Sequence, residues 1–333
     1  MSEEYAVLIS SAGRRVSLLR CFRKAVSRCV GANGRVLASD MSRLSAACEE
    51  ADEAFVVPRC MEDEFIPRML EICRANDVRV VVPTIDTELA TFAEHVDDFA
   101  EIGTRVLVPD RSLVAVANDK GRTHEFMMQN GIACLRQTGA RVIPADIDDW
   151  RHPLIAKPSR GSASIGVHEL SCPRDIMTLP DGYIVQEHAP GDEYTMDVFL
   201  DEKGSVRSVV PRRRVETRAG EVSKGLTVHN ERLEGVVKEF CSLLPGGRGV
   251  LTVQAFFDKS SDEINIIEVN ARFGGGYPLS YEAGADFPLW IVQESLGQRP
   301  DFDGSSWTSG LAMLRYDEAV YTMAGSVGLD ELS

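Results

Sequence analysis

The chain has 333 residues, 44% of them hydrophobic and 26% charged, a composition that excludes a disordered polymer and points to two or three packed units. Its formal net charge of −15 disfavours nonspecific binding to nucleic acid or anionic membrane, while a few local Lys and Arg can still hold an anionic ligand. Eight cysteines without a CxxC pair exclude a zinc-ribbon or thioredoxin-like motif and fit reduced thiols in a cytoplasmic protein.

The opening "MSEEYAVLIS" is acidic and lacks the basic region and apolar core of a signal peptide. No stretch approaches the ~20 apolar residues of a membrane span. Nucleic acid and membrane are therefore not expected as partners, and the expected location is the cytoplasm.

Residues 5–9 (YAVLI) read as a buried strand, followed by an apolar-periodic helix through Val16, Leu18, Leu19, Phe22 and Val26. "GRVLASD", "AFVVP", "VRVVVPTID" and "RVLVP" read as four further strands, with a helix through Phe65, Met69, Leu70 and Ile72. Short apolar strands alternating with helices imply a parallel sheet covered on both faces. From residue 111 the pattern changes. A helix pair turns near Asn118, "PLIAKPSRGSASIGVHEL" is strand, small-residue loop, strand, and "GYIVQEHAPGDEYTMDVFL" is strand, bend, strand. "SVRSVVPRRRVE", "GVLTVQAFF" and "EINIIEVNARF" then read as antiparallel strands, with a helix at 231–243. The expected fold class is α/β followed by α+β: a Rossmann-like parallel-sheet domain over 1–110, a small unit over 111–185 and a larger unit over 186–333.

The most informative stretch is "INIIEVNARFGGGYPLS". Alternate side chains of a strand share a face, so Glu268, Asn270 and Arg272 are expected to point one way and Ile267, Val269 and Ala271 the other. A half-exposed strand shows the same alternation with no function. The apolar "INII" before it argues for burial, and buried charges need partners or a bound ion. Glu268, Asn270 and Gln254 (a polar residue inside the apolar "LTVQAFF") supply hard oxygen donors of the kind that hold Mg²⁺ beside phosphate. Gly274, Gly275 and Gly276 let the backbone pass close to a reacting substrate.

Lys157 ends a strand, and Ser159 to Gly166 follow as a run whose backbone N–H groups and hydroxyls suit phosphate oxygens. A flexible hairpin would look similar, and the run is not the GxxxxGK[ST] loop. Lys120 sits at a helix start. Gln186 and Glu187 lead into the bend Ala189-Pro190-Gly191, and Glu193 opens the next strand. A bent extended segment can present an N–H and C=O pair to an adenine edge, and an acid beyond it can accept from ribose hydroxyls.

In their order along the chain, Lys120, Lys157 with its glycine-rich loop, Gln186 to Glu193, and Gln254…Glu268, Asn270, Arg272 resemble the ATP-grasp superfamily. The likeness is greatest to its carbamoyl-phosphate synthase large-subunit-like branch, to which "YEAGADFP" at 281–288 is also similar. The resemblance implies an ATP-grasp fold and an ATP- and Mg²⁺-dependent (or Mn²⁺-dependent) ligase. Such an enzyme activates a small-molecule carboxylate as an acyl phosphate for an amine or other nucleophile. It further implies that Lys120, Lys157, Gly161, Ser162, Ser164 and Gly166 meet the phosphates, that Gln186, Glu187 and Ala189 meet adenine, and that Glu193 meets ribose. Gln254, Glu268 and Asn270 would hold the metal, and Arg272 would stabilise the transferring phosphoryl group. One ATP-grasp unit without a glutaminase domain leaves two alternatives open: a half-enzyme phosphorylating bicarbonate or carbamate, and a non-catalytic ATP-binding module.

"PRRRVETRAGEVSKG" places Arg212, Arg213, Arg214, Arg218 and Lys224 in an otherwise acidic chain. It reads either as a solvated basic edge or as a carboxylate clamp, for which Arg214 and Lys224 are the candidates. Lys224 joins Arg272 and Lys157 as an expected catalytic cation. His229 reads as structural. "SSAGRR" lacks the GxGxxG pattern of a dinucleotide site, but Arg14 and Arg15, with Gly275, can bind an anionic substrate. Asp86 and Glu88 read as charges at a helix N-terminus or as ligands of a substrate amine. A homodimer is compatible with this reading.

Overall fold

The computed structural model describes residues 4–161, 165–218, 220–300, 302, 304 and 306–327. The first unit interleaves strands β1 (Tyr5–Ser10), β2 (Gly34–Asp40), β3 (Glu53–Val56), β4 (Val78–Pro83) and β5 (Arg105–Val106) with helices α1 (Val16–Val30), α2 (Ala46–Glu50), α3 (Phe65–Ala75), α4 (Asp86–Glu94) and α5 (Val96–Ala100). The parallel sheet has the order β3-β2-β1-β4-β5. Both faces of β1 are buried: Ala6 and Leu8 join a core with Phe65, Met69 and Phe92, while Val7 and Ile9 join another with Phe22 and Val26. That explains the unbroken apolar run. The strand order reverses between β1 and β4. The loops after them, 11–15 and 84–85, therefore meet at the crevice where such sheets bind ligands.

Helices α6 (Arg111–Ala117) and α7 (Lys120–Gln129) form the expected pair, and the Asp119 carboxylate caps α7 by accepting from Gly121 and Arg122 N–H. Their residues Leu113, Val114, Ala117 and Met127 pack in the same core as Leu251 and Val269. They thus belong to the main body rather than to the small sheet, with which the sequence reading grouped them. That sheet comprises β6 (Gln137–Gly139), β7 (Leu154–Pro158), β8 (His168–Leu170) and β9 (Tyr183–Gln186) in the order β6-β9-β7-β8, around its own core of Trp150, Leu154, Ile176 and Val185.

The third unit is a six-stranded antiparallel sheet. Its strands are β10 (Asp192–Leu200), β11 (Val206–Arg218), β12 (Glu221–Thr227), β13 (Gly249–Asp258), β14 (Glu263–Asn270) and β15 (Ala312–Leu314), in the order β14-β13-β10-β11-β12-β15. Helix α8 (Glu231–Leu243) follows β12, capped by Asn230. Helices α9 (Tyr277–Glu282) and α10 (Phe287–Ser295) follow the glycine turn, and Phe287 and Trp290 pack beside Phe22. The sequence reading missed β12, whose "EVSKGLT" looks polar, and β15, which is three residues long. Among the described residues no helix is long and apolar enough to cross a membrane.

Candidate functional site

A cavity of about 450 Å³ opens between the small sheet and the six-stranded sheet, within the usual size range of small-molecule sites. Register builds its floor. Across four antiparallel strands, Arg212 pairs with Thr195, Thr195 with Gln254, and Gln254 with Glu268. These four side chains therefore share a face with Glu193, Arg214, Thr252 and Asn270, and all of them line the cavity. A bulge between Gln254 and Ala255 leaves Ile267 without a partner in the ladder. Ile267 consequently lines the cavity beside Glu268, against the expected alternation. Val269 and Ala271 do face the core.

One end of the cavity is apolar, walled by Leu135, Ile155, Phe256 and Ile267, with the backbone of Glu187 to Ala189 along it. The Glu187 carboxylate is already engaged. It accepts from Arg136 N–H at 3.1 Å, Arg151 N–H at 3.3 Å and the Arg151 guanidinium at 3.2 Å. Burial works to raise its pKa, but these donors outweigh burial and hold it below the usual carboxylate range. Glu187 therefore offers the cavity its main chain. Its C=O and the Ala189 N–H have no main-chain partner among the described residues. Gln186 donates to Gln137 Oε1 at 2.8 Å.

The middle of the cavity is charged. Lys157 is buried on β7, and burial pushes its ammonium down to about 8, with Glu268 opposing the shift and Lys120 adding to it. Lys120 Nζ donates to Gly161 O at 2.7 Å and lies 3.9 Å from Glu268 Oε2. Glu193 is paired with Arg214 at 3.1 Å, and burial raises its carboxyl despite that pairing. Among the described residues no three His, Cys, Asp or Glu converge as a metal centre. Gln254, Glu268 and Asn270 supply one carboxylate and two amide oxygens. That set fits Mg²⁺, which typically takes one or two carboxylates and fills its shell with phosphate and water.

The far end carries Arg15, Arg212, Arg272, Glu221 and the turn Gly274–Gly276. Strand β14 stops at Asn270, so Arg272 lies just beyond it. Thr252 Oγ1 donates to its carbonyl at 2.8 Å, and its guanidinium reaches Asp86 at 2.5 Å and Asn270 Oδ1 at 3.4 Å. Arg15 donates to Thr84 O at 3.3 Å. Burial, and after it Arg272, push its pKa down to about 10.

Several expected residues lie elsewhere. Lys224 is half exposed, bonds Glu216 at 2.7 Å and does not line the cavity, because its strand turns it away. Arg14 is exposed and outside the lining. Gly166 packs on Pro158 and Tyr183, where φ is +78° and a Cβ would not fit. Ser162 and Ser164 lie outside the described residues. Arg218 pairs with Asp317. His229 stacks on Trp307 at 3.7 Å and bonds Glu234, a structural placement. Glu88 is fully buried and accepts from Ser10 and Ser11 hydroxyls and from Thr84 and Ile85 N–H at 2.6 to 3.2 Å. Sequence reading missed Glu221 and Arg315, paired at 2.8 Å, because their approach depends on β15 joining β12.

Residues 7–107 match the family described as "PylC-like, N-terminal domain", and residues 180–318 match "ATP-grasp in the biosynthetic pathway with Ter operon". No curated protein matches the sequence. Among solved structures the chain is similar to a biotin carboxylase from Campylobacter jejuni in complex with β-γ-ATP, at 17% identity and TM-score 0.71, covering 92% of this chain and 74% of that one. It is similar to the biotin carboxylase domain of the Hydrogenobacter thermophilus 2-oxoglutarate carboxylase, solved with MgADP and bicarbonate (16%, 0.70, 92% and 73%). An L-amino acid ligase from Bacillus licheniformis also matches (16%, 0.67, 92% and 77%). The chain thus matches a PylC-like N-terminal domain over residues 7–107 and an ATP-grasp family over residues 180–318, and it shares its fold with the solved structures named above.

Proposed function

We propose that this protein is an ATP- and Mg²⁺-dependent ligase that activates a substrate carboxylate as an acyl phosphate for capture by an amine or other nucleophile. The observation that carries the reading is the convergence of Lys120 and Lys157 on Glu268, one register step from Gln254, inside a cavity with an apolar end. The apolar walls and the Glu187–Ala189 backbone receive adenine, and Glu193 with Arg214 faces the ribose. Lys120 and Lys157 neutralise the phosphates. Gln254, Glu268 and Asn270 would hold the metal, which would supply positive charge to offset that of the phosphates.

The substrate carboxylate oxygen attacks the γ-phosphorus beside Arg272, and ADP leaves. The nucleophile then adds to the acyl carbon and inorganic phosphate departs, a proton being released to solvent when the nucleophile is an amine. Asp86 keeps the Arg272 guanidinium aimed at that point. Bound nucleotides and ligase activity belong to the neighbours named above; here they support the reading. The scattered free thiols support a cytoplasmic location.

The test is ADP release from the full chain with ATP, Mg²⁺ and a panel of carboxylic acids, each with and without amines. Release that requires both a carboxylate and Mg²⁺ is expected. Tight nucleotide binding with no release under any pairing would instead favour an ATP-responsive binding module.

A further inference from the structure

None of Gly274, Gly275 and Gly276 has a positive φ, so left-handed freedom is not why they are glycine. What they lack is room. A Cβ on Gly276 would collide with Arg212 Nη1, and one on Gly275 would sit 3.2 Å from Arg15 Nη1 and 3.4 Å from Glu221 Oε1. The turn is pressed between two guanidiniums and a carboxylate that come from three separate places in the chain.

Arg212 is almost fully buried, and Asp197 accepts from its Nε at 2.7 Å and its Nη2 at 3.1 Å. Nη1 is left against the turn. Among the cavity arginines, Arg160, Arg212, Arg214 and Arg272 are paired with Asp119, Asp197, Glu193 and Asp86. Arg15 has no carboxylate within ion-pair distance among the described residues, and Thr84 O is its hydrogen-bond acceptor. Arg15 is half-buried, and Glu221 and Asp86 act on it only from beyond ion-pair distance, so an anionic group of the substrate can supply its direct counter-charge. Glu221, tied to Arg315 at 2.8 Å, faces the same turn. Its negative charge disfavours a phosphate dianion there and favours a carboxylate that carries an ammonium beside it.

We propose that the far end of the cavity recognises the α-amino-carboxylate end of an amino acid, with the carboxylate on Arg15 and Arg212 Nη1 and the ammonium toward Glu221. The amino acid's role as a reactant rests on the ligase reading above; its binding does not.

The test is equilibrium dialysis of the full chain with a non-hydrolysable ATP analogue and Mg²⁺ against each common amino acid. Each binder is then compared with its α-carboxamide, its deaminated acid and inorganic phosphate. At least one amino acid is expected to bind saturably, with its carboxamide and phosphate about 10–100-fold weaker, the loss of a charged hydrogen bond. Arg15→Gln loses the same factor, Arg15→Lys regains part of it, and Glu221→Gln weakens the amino acid but not the deaminated acid. Absence of any saturable amino acid, an equally tight carboxamide, or an unchanged affinity in Arg15→Gln overturns the proposal; fluorescent nucleotide binding verifies the fold of each variant. Binding in the expected pattern without ADP release in any pairing leaves this site standing and removes the ligase reading. Carboxylate-dependent ADP release with binding indifferent to Arg15 and Glu221 does the reverse.

Discussion

Arg272 Nη2 lies 2.5 Å from Asp86 Oδ2, joining the residue just past β14 to the first residue of α4 in the N-terminal sheet unit. The contact anchors a guanidinium that lines the cavity at the proposed reaction centre. Asp86→Asn removes the charge-assisted half of that bond. It is expected to lower kcat/KM about tenfold while nucleotide affinity stays within about twofold. A parallel loss of nucleotide affinity would show that Asp86 supports the ATP end instead.

Glu268 is the one carboxylate of the proposed metal trio. Glu268→Gln keeps the shape and removes the charge, so turnover is expected to fall at least about 100-fold with unchanged circular dichroism. Activity that survives across a Mg²⁺ titration would refute the metal assignment.

Lys157 gives a pH dependence of known sign. Its ammonium sits near 8 in the nucleotide-free protein because burial disfavours the charge, and bound phosphates raise it again. ATP binding therefore takes up a proton above pH 8. Affinity is full below that pH and falls as pH rises, by up to about tenfold per unit. A fluorescent nucleotide titrated from pH 6.5 to 9.5 shows this bend, and Lys157→Met shows weaker, flat binding. The same shift makes the nucleotide-free fold gain stability from this group between about pH 8 and the unfolded value of 10.5, since the unfolded chain holds the proton longer.

Glu88 binds the loops after β1 and β4 together through four donors. Burial raises its carboxyl while those donors oppose the shift. Glu88→Ala strands the donors in a dry interior and is expected to cost about 3 kcal/mol in urea unfolding. Arg15, held by the same loop, loses its anchoring at the same time.

Lys224→Ala is expected to leave turnover within about twofold, because the pair with Glu216 is exposed and such pairs contribute little. A large loss would return Lys224 to the catalytic set.

Much of this arrangement was legible in the sequence because period-two and period-3.6 patterns report local burial. The parallel unit, the helix at 231–243 and the antiparallel strands that carry Gln254 and Glu268 all follow from such patterns. The bulge that turns Ile267 into the cavity is a single extra residue and leaves no periodic trace. Lys224 and Arg214 lie in one basic run, and only strand pairing decides that Arg214 faces the cavity and Lys224 solvent. Glu187 looked like an adenine ligand by position, yet its partners Arg136 and Arg151 come from distant turns. Pairs such as Arg272 with Asp86, 186 residues apart, are set by tertiary packing.

Residues 312–314 form one edge of the large sheet, and Arg315 reaches from there to Glu221 and the Gly275 carbonyl. The apolar end of the cavity, where we place the nucleotide, is built from the two antiparallel sheets, whereas its opposite end needs the loop after β1 and this late strand as well. A segment spanning 111–300 thus holds the proposed nucleotide elements together with Arg212 and Glu221, but lacks Arg15 and Arg315. Grafting that segment onto another N-terminal unit would carry over the proposed nucleotide site and only half of the proposed substrate clamp.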